Sequence, residues 1–321
     1  MDQEFIKAKN LIDASDRILL TMHERMDGDD GGSILAMRHH LASQGKKVTS
    51  VIKKGVPQAL KFLPGSEFIV DDIDSEDFDL LITFGCSDIS RTGSAKISEL
   101  LVINNQLSVI NFDHHPDNSF FGDVNIVDPG KSSVAELVHD FFIFNNWPVT
   151  HEVATCLLTG IITDTGSFMH SNTKSSTLKA AANLMRKGAR PGKIVRHTSH
   201  SKNPAVLKAW GKALENSYFD ANHKIIYAVM TEKDLAEFDN LPLAAFEGFV
   251  ETLNTYPEAR FALFLRQDGD SIKGSLRSDP YKNTDVAQIA KLFGGGGHKM
   301  AAGFSLAGKL TKDASGKWRV I

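Results

Sequence analysis

The chain has 321 residues, 42% of them hydrophobic and 23% charged, which is enough to pack one large domain or two ordinary ones. Its formal net charge of -3 argues against long nucleic acid as a partner, because gripping a long phosphate backbone takes a basic excess. Cys86 and Cys156 are the only cysteines, the opening Met1-Asp2-Gln3-Glu4 lacks the pattern of an export signal, and no apolar run approaches the roughly 20 residues of a membrane span. A reduced, cytoplasmic protein without a membrane role is expected.

Arg17 to Met22 is predicted as a strand, and Ser33 to Ser43 as a helix with Ile34, Met37 and Leu41 on one face and Gly45 as its stop. Val48 to Ile52, Asp79 to Phe84 and Ser108 to Phe112 are predicted as further strands. Their near-continuous apolar character fits a parallel sheet covered on both faces. Ser133-Val134-Ala135-Glu136 reads as a capping box opening a helix to about Asn145. Val153 to Thr163 is another buried segment, and Ser175 to Lys187 a helix stopped by Gly188. Pro191, Gly192, Ser199, Ser201, Asn203 and Pro204 then weaken the pattern, which places an interdomain linker at 190–205 between domains 1–189 and 206–321.

The second half changes style. Tyr218 to Asp220 and Lys224 to Met230 look like a hairpin, and Phe246 to Thr255 looks helical. Arg260 to Gln267 and Ser271 to Arg277 flank Asp268-Gly269-Asp270, a hairpin signal. Val286 to Phe293 is a short helix running into Gly294-Gly295-Gly296-Gly297-His298.

Candidate chemistry gathers where apolar runs end. His23, Asp27 and Asp29 follow the run Ile18 to Met22, Asp113-His114-His115 follows Ser108 to Phe112, and Asp164 follows Leu157 to Thr163. Carboxylates and imidazoles placed this way suit a metal site at the edge of an α/β sheet. The plainer alternatives are a polar loop capping a helix at Asp27-Gly28-Asp29 and a surface turn at Asp113-His114-His115, where Pro116-Asp117-Asn118 turns the chain. Asp164 is harder to explain as structure, since an acid among small and apolar residues is expensive to bury without a partner. Gly31, Gly32 and Ser33 lead into a helix whose N-terminus can attract an anion. Gly294 to Gly297 with His298 and Lys299 permits close approach of a phosphate, and Arg277 offers a planar cation for one. A flexible linker and a solvated strand-end arginine are the alternatives there.

In order along the chain, four segments resemble motifs of the DHH/DHHA1 phosphoesterase superfamily, in its short two-domain, NrnA-like type. They are His23 to Asp29, Asp113-His114-His115, Thr163-Asp164-Thr165-Gly166 continuing to Thr173, and Gly294 to His298 with Ala301-Ala302-Gly303-Phe304. The resemblance covers nearly the whole chain. It implies an α/β fold, with an N-terminal parallel-sheet DHH domain carrying helices on both faces and a smaller mixed α/β DHHA1 domain. It also implies a metal-dependent phosphoesterase that hydrolyses short RNA or DNA oligonucleotides, 3′-phosphoadenosine-5′-phosphate, or both, and it is compatible with a homodimer. Two Mn2+ ions, with Mg2+ or Co2+ as substitutes, would lie at the carboxyl ends of the strands. His23 and Asp27 would hold one, and Asp29, His114 and Asp164 the other. His115, oriented by Asp113, would touch the phosphate or help the leaving oxygen depart. Ser275, Arg277, Gly295, Gly296, Gly297 and His298 would hold the nucleotide.

One position departs from that pattern. Where the family's second motif carries a bridging aspartate, this chain has Gly85, followed by Cys86, Ser87, Asp88 and Arg91, which do align. The departure leaves several readings open: a one-metal enzyme, a site rearranged around Asp88, Asp30 or Asp113, a nucleotide-binding or sensory protein with little catalysis, or an introduced substitution. Asp88 is the candidate compensating acid in the block of motif-two residues. If the missing carboxylate limits catalysis, an aspartate at position 85 should strengthen metal binding and turnover. An inorganic pyrophosphatase-like activity is the remaining alternative.

Overall fold

The computed structural model describes residues 1–73, 77–104, 107–198, 204–238, 241, 245–313 and 318–321. The chain divides into two compact units, one ending at Ser201 and the other beginning at Lys202.

The first unit alternates helix and strand: α1 (Asp2–Ala14), β1 (Arg17–Met22), α2 (Gly28–Ser43), β2 (Lys47–Val51), β3 (Ile69–Val70), β4 (Leu80–Phe84), α3 (Ala95–Ile103), β5 (Ser108–Asp113), β6 (Val124–Val127), α4 (Val134–Phe144), α5 (His151–Asp164), α6 (Ser175–Arg186) and α7 (Pro191–Thr198). All six strands pair in parallel, in the order β3-β2-β1-β4-β5-β6. Side-chain alternation explains why the strands read as continuous apolar runs. Ile18, Leu20 and Met22 of β1 join a core with α1, α2, α4 and α5 on one face. Leu19 points the other way, into a second core with Ile97 and Leu100 of α3.

Several boundaries differ from the sequence reading. Helix α2 begins at Gly28, not Ser33, because Asp27 caps it by accepting a hydrogen bond from the Asp30 N–H at 3.0 Å. The capping box at Ser133 is only half formed. Ser133 Oγ accepts from the Glu136 N–H, but the Glu136 carboxylate turns away to Ser132, Thr177 and Lys131. Val153 to Thr163 is helical and belongs to α5. The stretch expected as a linker is helical at Pro191–Thr198, with proline at its start and Ile194 buried in the first core. Residues 199–203 lie outside the described residues.

The second unit contains α8 (Pro204–Glu215), β7 (Ser217–Asp220), β8 (Ile225–Met230), α9 (Glu232–Ala236), α10 (Phe249–Asn254), β9 (Phe261–Asp268), β10 (Ser271–Arg277), α11 (Val286–Lys291), β11 (Gly296–His298), β12 (Ala301–Ala307), β13 (Leu310–Lys312) and β14 (Trp318–Val320). Its main sheet is mixed, ordered β11-β12-β10-β9-β8-β7, with β8 and β9 parallel and the other neighbours antiparallel. Helices α8 and α10 pack on Ala228, Met230, Ala262 and Phe264, while α11 packs on Leu276 and Ala302. Among the described residues no helix is long and apolar enough to cross a membrane.

Candidate metal centre

Strand order positions the site. Beyond β1 the sheet grows one way through β2 and β3, and the other way through β4, β5 and β6. Ligands of such sheets bind outside the carboxyl ends of the strands at this reversal point. Met22, Phe84 and Phe112 lie side by side in register at those ends. The chain therefore delivers His23, Gly85, and then Asp113 with His114 and His115, to one edge.

Two helices bring the remaining acids. Asp29 and Asp30 lie in the first turn of α2, and Asp164 is the last residue of α5. The helices approach closely because glycines line their contact. A Cβ on Gly32 would collide with the Cys156 carbonyl, and one on Gly160 would lie 2.9 Å from Asp29 Oδ1. Asp29 is buried, and both its oxygens accept backbone N–H groups at the start of α4, from Val134 at 2.7 Å and Ala135 at 2.8 Å. Asn172 holds Asp164 more loosely, its Nδ2 lying 3.3 Å from the Asp164 carbonyl and 3.4 Å from its carboxylate.

The result is two sets of three side chains that could each hold a metal ion. In the first, His23 Nε2 stands 3.2 Å from Asp27 Oδ2 and 3.0 Å from Asp30 Oδ2. In the second, His114 Nε2 stands 4.0 Å from Asp29 Oδ2 and 3.9 Å from Asp164 Oδ2. Spacings near 4 Å are too long for hydrogen bonds and leave room for an ion between the donors. Burial, together with Asp27 and Asp30, pushes the Asp164 carboxyl up to about 7, and burial and Asp27 push Asp30 up to about 6. Burial and the neighbouring acids likewise raise Asp29 well above the carboxylate range. Burial alone would lower His23, but Asp27 and Asp30 raise it to about 10. Four carboxylates thus crowd one edge with few protein cations, and each set offers hard or borderline donors only. That donor chemistry fits divalent cations such as Mn2+ or Mg2+.

Beside these sets lies a hydrogen-bonded pair. His115 Nδ1 is 2.6 Å from Asp113 Oδ1, which also accepts the His114 and His115 N–H groups. Burial would lower His115, but Asp113 raises it above its ordinary value. Asp113 Oδ2 accepts from Asn118 Nδ2 at 2.5 Å, and Asn118 Oδ1 accepts from Asn111. This chain of buried amides fixes the imidazole, with its ring 4.8 Å from that of His114.

In the second unit, Arg277 donates from Nε to Glu251 Oε1 at 2.7 Å and from Nη1 to the Leu276 carbonyl at 2.8 Å. Ser275 faces Gly303 and Phe264 in the sheet. The glycine segment is more ordered than a loop. Gly294 and Gly295 continue the turn after α11, and Gly296–His298 is an edge strand paired with β12. A Cβ on Gly297 would press on the Ala301 carbonyl, so the tight pairing itself demands glycine.

Comparisons with known proteins agree on one relationship. Residues 17–161 match the model of the DHH family N-terminal domain, and residues 222–315 match the DHHA1 domain. The chain is 31% identical, over 91% of its length and 84% of the relative's, to a protein named bifunctional oligoribonuclease and PAP phosphatase NrnA from Thermus thermophilus. The chain belongs to the DHH/DHHA1 family. A Bacillus subtilis protein of the same name is 26% identical over 95% of this chain and 93% of its own. The crystal structure of an exopolyphosphatase-related protein from Bacteroides fragilis superposes with a TM-score of 0.88 at 26% identity, covering 96% of this chain and 92% of that one.

Within this DHH domain, the compensating acid proposed from sequence is misplaced. Asp88 caps the short 3-10 turn Ile89–Thr92, accepting from the Ser90 N–H and Oγ, and joins neither ligand set. Asp30, on α2, stands in the set with His23 instead. Gly28 starts α2, packed against the Thr163 side chain. Sequence reasoning passed over Asn118 and Asn111 as positioning residues. Polar residues at the end of an apolar strand were the available signal.

Proposed function

We propose that this protein is a divalent-metal-dependent phosphoesterase that acts on short oligonucleotides and on small nucleotides such as 3′-phosphoadenosine-5′-phosphate. The single observation that carries the reading is the pair of His/carboxylate sets at the sheet reversal, with the His115–Asp113 pair beside them. The names of the relatives, which speak of oligoribonuclease and PAP phosphatase activity, supply the substrate class. Manganese is the proposed ion. His23 and Asp27 would hold one ion, and Asp29, His114 and Asp164 the other. When bound, two such cations supply Lewis acidity and charge neutralisation for displacement at phosphorus.

The protein's own residues do the rest. Asp29 is pre-oriented by the amide groups of α4, so its lone pairs point at a fixed place. His115, its ring fixed through Nδ1 by Asp113, would meet a phosphate oxygen or the departing alkoxide. As an imidazolium favoured by Asp113 it can donate a proton there. In the second domain we propose that Arg277 and the β11 edge, including His298, bind the nucleotide's phosphate, with Ser275 and Gly295 to Gly297 alongside. Arg277 Nη2 has no hydrogen-bond partner among the described residues, which leaves a donor for that contact. A cytoplasmic location and a homodimeric assembly are part of the same proposal.

The test is turnover of a dinucleotide, of 3′-phosphoadenosine-5′-phosphate and of pyrophosphate, each with and without Mn2+. Metal-dependent release of mononucleotide or of phosphate from the first two supports the reading. Turnover confined to pyrophosphate would replace it, and tight nucleotide binding without turnover would favour a sensory protein.

A further inference from the structure

Asp30 has features that no capping or structural role explains. It is 2% exposed, in the first turn of α2, and its backbone N–H already satisfies Asp27. Its Oδ2 meets His23, but its Oδ1 is buried without any hydrogen-bond partner. A buried carboxylate oxygen left unpaired is costly. His23 cannot compensate, because one imidazole edge is shared between Asp30 and Asp27.

The opposite wall of this pocket is Gly85, the residue just past β4, with φ at +61°. A Cβ built there would overlap all three atoms of the Asp30 carboxylate. The Asp30 carboxylate therefore occupies the volume that any side chain at position 85 would need. Only glycine admits it.

We infer that Asp30 is a metal ligand, completing the set with His23 and Asp27, and that Gly85 is its steric complement. The carboxylate reaches the ion from a helix start, across the space left free at the strand end. This rests on the metal-dependent reading above, but assigns a residue which that reading does not need. It also reverses the expectation that an aspartate at position 85 would simply improve the site. In the presence of Asp30 that substitution puts two carboxylates into one volume.

The experiment measures Mn2+ stoichiometry and affinity by titration calorimetry, with metal analysis after dialysis, on the full chain. The variants are Asp30→Asn, Asp30→Ala, Gly85→Asp and the double variant Asp30→Ala/Gly85→Asp. Wild type is expected to bind two ions. Asp30→Asn and Asp30→Ala are expected to keep the ion of the Asp29 set and weaken the other at least tenfold. Asp30→Asn keeps the shape of the side chain, so it remains informative if the alanine variant fails to fold. Gly85→Asp alone is expected to lower the melting temperature. The double variant should fold and recover the second ion. Two ions bound with unchanged affinity in folded Asp30→Asn would overturn the assignment of Asp30. A folded double variant that still holds one ion would overturn the complementarity with Gly85. Wild type that binds no ion at saturating Mn2+ would sink the metal-dependent reading itself, a distinguishable failure.

Discussion

Replacing Gly32 with alanine tests how the site is built, because Gly32 ligates nothing. Two effects oppose each other. Alanine inside a helix gains about 1 kcal/mol over glycine from propensity. Against this, the new methyl would collide with the Cys156 carbonyl oxygen, with the Cys156 carbonyl carbon at 3.2 Å and the Gly160 nitrogen at 3.4 Å. These are backbone atoms of α5, not the tip of a flexible side chain, so one helix must move. Overpacking of this kind costs about 1–3 kcal/mol, and here it stands at the upper end or above. A net loss of about 2 kcal/mol or more follows, at roughly 2–4 °C in melting temperature per kcal/mol for a unit of this size. The larger effect should fall on metal binding, since Asp29 and Asp164 ride on the two helices being separated. Gly211→Ala in α8 is the control, because nothing lies within 4 Å of its Cβ position and only the propensity gain remains. Urea denaturation and Mn2+ titration of both variants make the assay. If Gly32→Ala is as stable as Gly211→Ala and binds Mn2+ like wild type, the close helix approach does not set the site's geometry.

His40 stacks on Trp147 at 3.8 Å, and burial pushes it down to about 4, so the fold holds it neutral. The unfolded chain takes up that proton from about 6.5 downwards, so stability present above 6.5 is lost as pH falls towards 4, at about 1.4 kcal/mol per pH unit. Wild type should therefore lose about 2 kcal/mol more than His40→Phe between pH 7.5 and 5 in urea melts, and equal losses would refute the assignment. Asp113→Asn should lower kcat by about 10–100-fold with little change in KM, and should shift the basic limb of the pH–rate profile down, because His115 loses the charge that raises it. Arg277→Ala and His298→Ala should each weaken substrate binding by about 1–3 kcal/mol, and unchanged affinity in both would remove the DHHA1 domain from substrate recognition. Asp164→Asn should stabilise the metal-free protein by about 1 kcal/mol, since a carboxylate at the end of α5 opposes the helix dipole, and should reduce the rise in melting temperature expected of wild type on adding Mn2+.

The parallel sheet was legible because its central strands β1, β4 and β5 are buried on both faces, so their apolar runs stand out one by one. The candidate ligands were legible because the chain drops them where those runs end. The start of α2 was not. Gly28, Asp29, Asp30, Gly31 and Gly32 are poor helix formers, and only packing against α5, which requires small residues there, makes them helical. Propensity pointed away from the structure at the stretch where the site is assembled. Helix α7 was hidden in the same way, because Pro191 and Gly192 suggested a linker although proline suits a helix start. The choice of Asp88 over Asp30 came from position in a motif. Asp88-Ile89-Ser90 carries its own turn signal, an aspartate capping the N–H two residues on, which assigns it to local structure.

The two acids of the His114 set are prepared unequally, and this has a chemical consequence. An ionised carboxylate has about four lone-pair positions, and Asp29 commits two of them to the first N–H groups of α4. Those bonds fix its direction, while burial and the neighbouring acids still raise its carboxyl well above the carboxylate range. Asp164 sits at the opposite kind of helix end, where the peptide dipoles repel an anion, with a long hydrogen bond from Asn172 and His114 standing 3.9 Å away. It is therefore loosely held, and burial with Asp27 and Asp30 raises its carboxyl as well. Under the metal-dependent proposal, Asp29 would supply the fixed geometry of this set and both crowded carboxylates the pull on a cation. On that proposal, the cost of burying these acids together would be offset when positive charge arrives, so the metal-free fold would be the less stable state.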